Sequence, residues 1–325
     1  MGEFELLARV RERLPAAGTR VRVGIGDDAA VTVPGGATAT SVDALVEGVH
    51  FRRGRASLAQ IGRKALATAL SDLAAMGAEP GEAYVVLGVP PDLDEDGCIE
   101  LLDGMAELAA AAGTSLAGGD LTRAAELTVA MTVVGHASAP ERLVTRAGAR
   151  PGEALVLTGE IGGAAAGLRL LEQPESAAAV SAETAARLRA RQLEPRARLG
   201  AGQALAAAGA TAMIDLSDGL GGDAGHLAKR SEVALRIDAS ALPLAGGVEE
   251  VAAAGDDPLQ LAVSGGEDYE LLATLPPGRL EEAMAAVREA EGIGLTRIGE
   301  AVDGEGVEIR LPGGRLLKPE GFDQL

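Results

Sequence analysis

Cysteine and aromatic residues are almost absent from this sequence. Cys98 is the single cysteine, there is no tryptophan, and aromatic residues make up 2% of the chain. One cysteine excludes a disulfide framework and a Cys-rich zinc or iron–sulfur site, and it suits the reducing cytoplasm, where we expect this protein. With so few aromatic side chains, the core must be built from Leu, Val, Ile and Ala.

Positive charge is scarce as well. The chain has 29 Lys and Arg residues against 48 Asp and Glu residues, which gives a formal net charge of −19. Such a charge repels a phosphate backbone, and there is no Lys/Arg stripe with interleaved aromatic residues, so no nucleic-acid partner is expected. Any polyanionic ligand must be brought in by cations.

Long uncharged apolar runs are missing too. No run reaches the roughly 18 residues of a membrane-spanning helix. Residues 1–14 carry charges of both signs, where a secretory signal would have an apolar segment. We therefore expect neither export nor a membrane partner.

The sequence does contain enough apolar material for a full core, since 47% of its 325 residues are hydrophobic and 24% are charged. Its length fits two domains or one large domain. The stretch 137–152, with Pro140, Pro151 and several charges, is the best candidate boundary. We expect domains at 1–138 and 139–325.

Strand-like and helix-like patterns alternate along both halves of the chain. Ser57 is a candidate N-cap, and from it to Met76 the apolar side chains recur at helical spacing. The other predicted elements are helices at 2–14, 94–112, 162–171 and 182–193, a helix after Asp218, and strands at 20–23, 29–33, 38–42, 84–89, 127–135, 154–157 and 212–214. This alternation predicts an α/β or α+β protein with two lobes.

Aspartates beside glycine or serine are the most informative feature. Five short segments share it, each interpreted as a junction between a strand and a loop or helix: 24–28 (GIGDD), 41–43 (SVD), 71–72 (SD), 118–120 (GGD) and 215–219 (DLSDG). A single Asp-Gly pair is usually only a turn. Short carboxylates next to backbone carbonyls and hydroxyls also suit Mg²⁺, and five such segments together favour a metal site.

Asp72 illustrates the two alternatives for one such residue. It lies one helical turn from Ala69 and Met76, at the edge of the apolar stripe of its helix. A buried carboxylate without a partner is costly. Asp72 is therefore either a metal ligand or the partner of an arginine in a structural pair.

Signatures of other nucleotide sites are weak. Residues 24–29 match the dinucleotide fingerprint, but a strand follows where that motif needs a helix, and the sequence has no P-loop. Residues 158–163 lead from a strand into a helix and could offer amides to a phosphate, although close packing is the simpler explanation of their glycines.

Covalent catalysis is not expected either. The three histidines, His50, His136 and His226, are not paired with a Ser or Cys in any triad signature. Cys98 is expected on a helix, with its side chain in the protein core. The chemistry that remains is phosphoryl transfer assisted by clustered metal ions.

As a set, these segments resemble the thiamine-monophosphate kinase family. The matching motifs, in the order and spacing of that family, are those at 2–4, 24–29, 41–43, 50–51, 70–78, 118–120, 145–146, 214–220, 264–271 and 321–323. The resemblance covers nearly the whole chain and implies the fold of the aminoimidazole-ribonucleotide synthetase superfamily. That fold has an N-terminal α/β domain whose strands join a dimer-spanning β-barrel, and a C-terminal α+β domain that closes the active-site cleft over ATP.

The resemblance also implies a reaction. ATP and thiamine monophosphate would give ADP and thiamine diphosphate, the last step of thiamine diphosphate biosynthesis, by direct in-line transfer assisted by several Mg²⁺ ions. The implied enzyme is a phosphotransferase with a phosphate group as acceptor, and it is a homodimer that binds Mg²⁺ and ATP in its N-terminal domain.

Site residues follow from the matching motifs. The implied Mg²⁺ ligands are Asp28, Ser41, Val42 (through its carbonyl), Asp43, Asp72, Asp120, Asp215 and Asp218. Of these, the ones implied to act in catalysis through the metal are Asp43, Asp72 and Asp215. The implied ATP contacts are Gly119, Asp120, Arg146 and Ser217. The implied contacts to thiamine monophosphate are His50, Glu267 and Phe322, the last often a Tyr in the family.

Electrostatics agrees with these roles. Two polyanions cannot meet at a site lined by aspartates unless Mg²⁺ reverses its sign and bridges the phosphate oxygens. Arg146 can add a bidentate clamp on phosphate. Because a phosphate-oxygen acceptor is already ionised at neutral pH, no general base is required, and His50 is interpreted as a substrate contact.

Four alternatives compete with this interpretation. Selenophosphate synthetase needs a reactive Cys or selenocysteine with a Lys in a Gly-rich N-terminal segment, and a hydrogenase-maturation relative needs a C-terminal Cys, whereas Cys98 is the single cysteine here. The purine-pathway cyclase lacks the 264–271 signature in this form. The alternative from another class is a non-enzymatic protein that uses the same aspartates to bind divalent metal for folding or docking.

Overall fold

The computed structural model of the chain describes residues 9, 12–13, 18–25, 29–252, 257–311, 313–319 and 321. The chain forms two compact units. The first contains Met1–Leu73 and Ala78–Pro140, and the second contains Ala74–Gly77 and Glu141–Leu325.

A four-stranded sheet and two long helices make up most of the first unit. Its elements are β1 (Val21–Val23), β2 (Val31–Thr32), β3 (Ala37–Val46), α1 (Leu58–Ala75), β4 (Glu79–Val89), α2 (Glu95–Ala112), β5 (Ser115–Arg123) and β6 (Thr128–Ala137). The sheet order is β3-β6-β4-β5, while β1 and β2 form a separate two-stranded sheet. Only β4 and β5 are parallel, because α2 makes the crossover between them.

Local hydrogen bonds explain where the two helices begin. The Ser57 hydroxyl accepts a hydrogen bond from the Gln60 amide at 3.2 Å, and the Gln60 side chain accepts one from the Ser57 amide at 3.0 Å, which is a capping box. Asp94 caps α2 by accepting a hydrogen bond from the Gly97 amide. Both starts agree with the sequence prediction.

The two faces of the first sheet differ. The face that carries Leu87, Val129 and Met131 is buried. On the other face, the side chains of Val42 and Val86 are 69% and 45% exposed. In the described part of the chain, the four strands form an open sheet whose outer strands are β3 and β5.

The second unit is built on a seven-stranded sheet. Its strands are β7 (Ala154–Thr158), β8 (Ala212–Asp215), β9 (Ala234–Asp238), β10 (Leu271–Leu275), β11 (Leu295–Val302), β12 (Gly306–Arg310) and β13 (Leu316–Leu317), in the order β13-β12-β9-β11-β7-β10-β8. Its helices are α3 (Gly163–Glu172), α4 (Ala182–Leu193), α5 (Leu199–Ala208), α6 (Leu220–Ser231), α7 (Val248–Ala252), α8 (Pro258–Ser264) and α9 (Leu280–Glu291). All pairs are antiparallel except β9 with β12.

Both faces of this sheet are covered. Leu155 and Leu157 of β7 join one core cluster, which includes Leu227 of α6. Val156, between them, joins a second cluster on the opposite face, with Leu205 of α5. Successive side chains of a strand point to opposite faces, and both faces of β7 are buried. Its sequence is therefore a continuous apolar run, which is typical of a central strand.

The predicted elements are largely confirmed. The helices predicted at 57–76, 94–112, 162–171 and 182–193 and the strands at 127–135, 154–157 and 212–214 correspond to α1, α2, α3, α4, β6, β7 and β8. The helix predicted at 2–14 lies almost entirely outside the described residues. Among the described helices, none combines the length and the apolar character needed to cross a bilayer.

Three of the five acidic segments were placed wrongly at junctions. Residues 41–43 lie inside β3, residues 118–120 inside β5, and residues 71–72 inside α1. Gly and Asp disfavour strands as isolated residues, but the pairing of β3 with β6 and of β5 with β4 overrides that preference. The strand predicted at 84–89 also begins earlier, at Glu79, because Pro80 and Gly81 are accommodated at a register shift in β4.

Candidate active site

The first candidate cluster lies at the edge of the first sheet, on β3 and α1. Ser41 and Asp43 point to the same side of β3 as buried Leu45. The Ser41 hydroxyl donates a hydrogen bond to Oδ2 of Asp72 on α1, and Asp72 is half-buried. The structure therefore brings a hydroxyl and a carboxylate oxygen together beside Asp43.

Asp120 lies at the opposite edge of the same sheet. Across the sheet, Asp43 of β3 is paired with Met131 of β6, and Met131 with Val85 of β4. Val85 is paired in turn with Gly119 of β5. Asp120 is one residue further along β5, so its side chain points to the open face. Three strand spacings separate β3 and β5 by about 14 Å, whereas Mg²⁺ ligands lie about 2.1 Å from the ion. One chain therefore does not bring Asp43 and Asp120 to a common ion.

At Val42 and Gly119, the main chain rather than the side chain would have to serve the roles that the resemblance implies. The Val42 side chain is on the open face, away from Asp72. At Gly119, a Cβ atom would lie 2.1 Å from the carbonyl oxygen of Val85. Glycine is therefore required there for β5 to pair with β4.

His50 lies in the turn that follows β3. Its Nδ1 accepts a hydrogen bond from the Val46 amide at 3.1 Å. The Gly48 amide donates to the Phe51 carbonyl at 2.8 Å and closes the turn. Because Nδ1 is an acceptor, the neutral ring carries its proton on Nε2, which is the atom that can donate to a ligand.

The second candidate cluster lies where β8 ends, in the second unit. Asp215 is the last residue of β8 and is buried, and Asp218 follows in the loop before α6. Asp223, in the first turn of α6, accepts hydrogen bonds from the amides of Asp218 and Gly219 at 3.0 and 3.1 Å. This buried side chain fixes the loop that carries Asp218.

Three carboxyl groups lie together at this place. Burial raises the pKa of Asp223 to about 8, and the charges of Asp215 and Asp218 also raise it, against the lowering effect of the two amides. A cation bound beside these groups would favour the charged form of Asp223 and offset the repulsion from Asp215 and Asp218.

A backbone ladder joins this loop to the 264–271 segment. The amides of Glu267 and Tyr269 donate to the carbonyls of Ser217 and Leu216, each at 2.9 Å, and the Leu216 amide donates to the Glu270 carbonyl at 2.8 Å. Ser217 and Glu267 therefore lie on facing stretches of main chain.

Arg146 is held near β8 by its main chain. The Met213 amide donates to the Thr145 carbonyl at 3.0 Å, and the Ser231 hydroxyl donates to the Arg146 carbonyl at 2.9 Å. The Arg146 side chain is exposed. A fixed backbone with an exposed guanidinium suits a phosphate clamp.

The amides at the start of α3 have a ligand within the chain. Gly162 and Ala164 donate to the Asp268 carboxyl group at 2.6 and 3.0 Å. Burial raises the pKa of Asp268 to about 7, although these amides and the charge of Arg191 lower it. Asp268 thus occupies the amides that the sequence could have offered to a phosphate.

Two predicted site residues, Asp28 and Phe322, lie outside the described residues. In the described ranges, no three Asp, Glu, His or Cys side chains are arranged to hold one metal ion. The described donors nevertheless fit Mg²⁺ in kind, because Ser41, Asp43 and Asp72 in one unit and Asp215 and Asp218 in the other offer only oxygen atoms.

Sequence reasoning gave no role to Asp223, Asp268 or Gln192, although all three contact predicted site residues or their loops. Asp223 could have been found, because it lies one helical turn after Gly219 on the buried side of α6. Gln192 gives no such signal, since its partner Glu267 is 75 residues away.

Comparisons with known proteins give consistent matches. Residues 26–137 match the family model of the AIR synthase related protein, N-terminal domain, and residues 150–312 match that of the C-terminal domain. Over 305 residues, the chain is 39% identical to thiamine-monophosphate kinase of Escherichia coli strain K12, covering 92% of this chain and 90% of that protein.

Solved structures agree with these sequence matches. The crystal structure of thiamine-monophosphate kinase from Stenotrophomonas maltophilia K279a superposes with a TM-score of 0.84 at 37% identity, covering 95% of this chain and 96% of the other. The structure of AaThiL complexed with AMPPCP and TMP has a TM-score of 0.78 at 28% identity, covering 100% of this chain and 97% of the other.

Proposed function

The chain belongs to the thiamine-monophosphate kinase family, within the AIR synthase related proteins, and we infer that it phosphorylates thiamine monophosphate to thiamine diphosphate with ATP. The observation that carries this inference is the similarity to thiamine-monophosphate kinases over more than nine-tenths of the chain. The related structure that holds AMPPCP and TMP supports ATP and thiamine monophosphate as the two substrates. AMPPCP stands there in the place of ATP.

We propose that the two acidic clusters hold Mg²⁺. The proposed ligands are Asp28, Ser41, the Val42 carbonyl, Asp43, Asp72, Asp120, Asp215 and Asp218. When bound, Mg²⁺ would neutralise the phosphate charges and align donor and acceptor oxygens. The proximity of Ser41 to Asp72, and the repulsion among Asp215, Asp218 and Asp223, support the assignment.

The remaining roles concern binding. Gly119 and Asp120 on β5, and Arg146 and Ser217 in the second unit, are the proposed ATP contacts. His50, Glu267 and Phe322 are the proposed contacts to thiamine monophosphate. His50 acts as a donor through Nε2, because its Nδ1 is already an acceptor. No side chain needs to remove a proton, since the acceptor phosphate is ionised at neutral pH.

A homodimer with a β-barrel shared by two copies is also part of the proposal. It is supported by the open face of the first sheet, which exposes Val42 and Val86, and by the two outer strands, β3 and β5. Pairing β3 of one copy with β5 of the other would place the strand that carries Asp43 directly beside the strand that carries Asp120 of the partner subunit, with the two side chains on opposite faces. This would remove the separation of about three strand spacings within one chain.

The proposal gives residues 1–138 dimerisation and most of the ATP and Mg²⁺ contacts, and residues 139–325 the contacts made by Arg146, Asp215, Ser217, Asp218, Glu267 and Phe322. A cytoplasmic location is proposed because the enzyme consumes ATP, which is made and kept in that compartment.

The direct experiment compares acceptors. The purified protein with ATP and Mg²⁺ is given thiamine monophosphate or thiamine, and thiamine diphosphate and ADP are quantified. We expect product with the monophosphate alone. If Mg²⁺ stabilises the fold but neither acceptor is phosphorylated, the non-enzymatic metal-binding alternative is favoured.

The shared site is tested by mixing two inactive chains. Asp43→Asn and Asp120→Asn chains with different tags are coexpressed, and mixed dimers are isolated. If each site combines Asp43 of one subunit with Asp120 of the other, a mixed dimer has one intact site and regains about half of the wild-type activity. If both residues serve the same chain's site, every site carries one substitution and the mixed dimer stays inactive.

A further inference from the structure

The loop that carries Glu267 has an uncommon backbone. Glu267 and Tyr269 have φ angles of 69° and 50°, a region that side chains other than glycine seldom adopt. At Gly266, between this loop and the 215–219 loop, a Cβ atom would lie 2.3 Å from the Ser217 carbonyl oxygen. Such a conformation persists only where the surroundings hold it firmly.

Two buried carboxyl groups hold the main chain of this loop. Asp268 is bound by the amides at the start of α3. Glu270, with no exposed surface, accepts hydrogen bonds from the Arg198 guanidinium and, at 2.7 Å, from the Thr158 hydroxyl. Arg191 on α4 lies 3.4 Å from the other Glu270 oxygen. The residues on both sides of Glu267 and Tyr269 are therefore anchored to β7, α3 and α4.

The Glu267 side chain itself has a different partner. Gln192, in the last turn of α4, donates a hydrogen bond from Nε2 to Glu267 Oε2. Gln192 is only 4% exposed, and its Oε1 is buried without a hydrogen-bond partner among the described residues. Burying an amide with half of its polar atoms unpaired costs free energy. An apolar side chain of similar size would pack at this position without that cost.

We propose that Gln192 is a positioning residue for thiamine monophosphate, and that it holds the Glu267 carboxylate in the orientation that binds this substrate. The proposal rests on the proposed function and on Glu267 as a substrate contact. It explains why a buried amide is present where packing alone needs none. The left-handed backbone fixes the direction in which the Glu267 side chain leaves the main chain, and the hydrogen bond from Gln192 fixes the position of its carboxylate.

The test separates the two substrates. In Gln192→Met, which keeps the length of the side chain but not the donor, we expect the KM for thiamine monophosphate to rise about tenfold, with the KM for ATP within twofold of wild type. In Gln192→Glu, which keeps the shape but places a second carboxyl group against Glu267, we expect a larger rise. Arg187→Met is the matched control, because Arg187 on the same helix donates to the Gly246 carbonyl at 2.8 Å and not to Glu267.

Each outcome has one meaning. If Gln192 had a purely structural role, its variants would have a lower melting temperature or would raise both KM values together. An unchanged KM for thiamine monophosphate in Gln192→Glu would overturn the proposal, while the proposed function would stand. Should Gln192→Met fail to fold, the nearly isosteric Gln192→Glu still decides. A wild-type protein that makes no thiamine diphosphate would instead refute the proposed function on which this inference depends.

Discussion

The two units present their acidic residues in different ways. In the first unit, Asp43 and Asp120 lie on strands at opposite edges and faces of the sheet, and among the described strands the outer ones, β3 and β5, have one neighbour each. In the second unit, Asp215 and Asp218 lie where β8 ends, in a loop held by Asp223 and by the ladder to Glu267 and Tyr269.

The difference lies in how each unit holds its acidic residues in place. The second unit fixes its loop by internal hydrogen bonds and buried ion pairs, so its geometry is complete in one chain. The first unit leaves Asp43 and Asp120 apart within one chain, and the proposed dimer would add a second copy of the sheet beside it. Substitutions in the two units should therefore differ in their effects on activity and stability.

The largest expected effect is the loss of turnover when one carboxylate of either cluster is neutralised. Asp72→Asn and Asp215→Asn should each lower kcat by about 10³-fold or more, because the developing charge on the transferred phosphoryl group loses its stabilisation. Melting curves should show that both variants fold. Asp303→Asn, an exposed acid in a turn of the second unit, is the control and should keep normal activity.

Near-normal activity of either variant at limiting Mg²⁺ would contradict the metal assignment. If Asp215→Asn were inactive and Asp72→Asn active, the first unit would not share in the chemistry.

The next largest effect concerns stability. Glu270→Gln removes the charge of a carboxylate with no exposed surface and leaves Arg198, whose side chain is 13% exposed, with only the longer ion pair to Glu291 at 3.5 Å among the described residues. We expect the free energy of unfolding of the second unit to fall by about 3–5 kcal/mol. Denaturant titration followed by a probe in the second unit measures it.

The matched change in the first unit should be nearly silent. Glu79→Gln breaks the ion pair between Arg20 and Glu79, whose side chains are 30% and 61% exposed. Water and salt screen such a pair, so we expect a loss below about 1 kcal/mol. Equal losses in the two variants would refute the idea that the second unit depends more on internal ion pairs.

A third effect depends on pH. The pKa of Asp268 is about 7 in the folded chain and its ordinary value is 3.8. Between about pH 4 and pH 7 the folded state therefore binds more protons than the unfolded state, so the contribution of Asp268 to stability falls as pH rises, by at most about 1.4 kcal/mol per pH unit. Asp268→Asn should reduce this slope, measured as the change in denaturation midpoint from pH 5 to pH 8.

Asp238 provides a control of opposite sign. The hydroxyl and the amide of Ser240 lower the pKa of Asp238, so its contribution is present above the ordinary pKa and is lost as pH falls through the lower folded value. Asp238→Asn should therefore leave the pH 5 to pH 8 slope unchanged. A slope that Asp268→Asn does not alter would show that other groups dominate this window.

Most of the elements around the site could be predicted from sequence, because they depend on local patterns. Ser57 with Gln60, and Asp94 with Gly97, mark helix starts within three residues of chain, and the continuous apolar run 154–157 indicates a central strand. The motifs at 41–43, 71–72 and 215–219 were found as acidic segments for the same reason.

What could not be predicted depends on pairing over long distances. The separation of Asp43 from Asp120 follows from the order β3-β6-β4-β5, which no local pattern states. The contact between Gln192 and Glu267, and that between Asp268 and the amide of Gly162, join residues 75 and 106 positions apart. The alternation of side chains along a strand becomes informative only when the strand's neighbours are known.

The smallest effect tests how tightly the helices of each unit pack. Gly225 lies inside α6, and a Cβ atom there would meet nothing within 4 Å, whereas at Gly62 in α1 it would lie 1.9 Å from the Leu101 carbonyl oxygen on α2. Gly225→Ala should raise the free energy of unfolding by about 0.5–1 kcal/mol, because alanine loses less backbone entropy in a helix. Gly62→Ala should lower it, because α1 and α2 would have to move apart. Thermal melts of both variants measure the two signs, and a destabilised Gly225→Ala would mean that α6 packs against more of the second unit than its described contacts indicate.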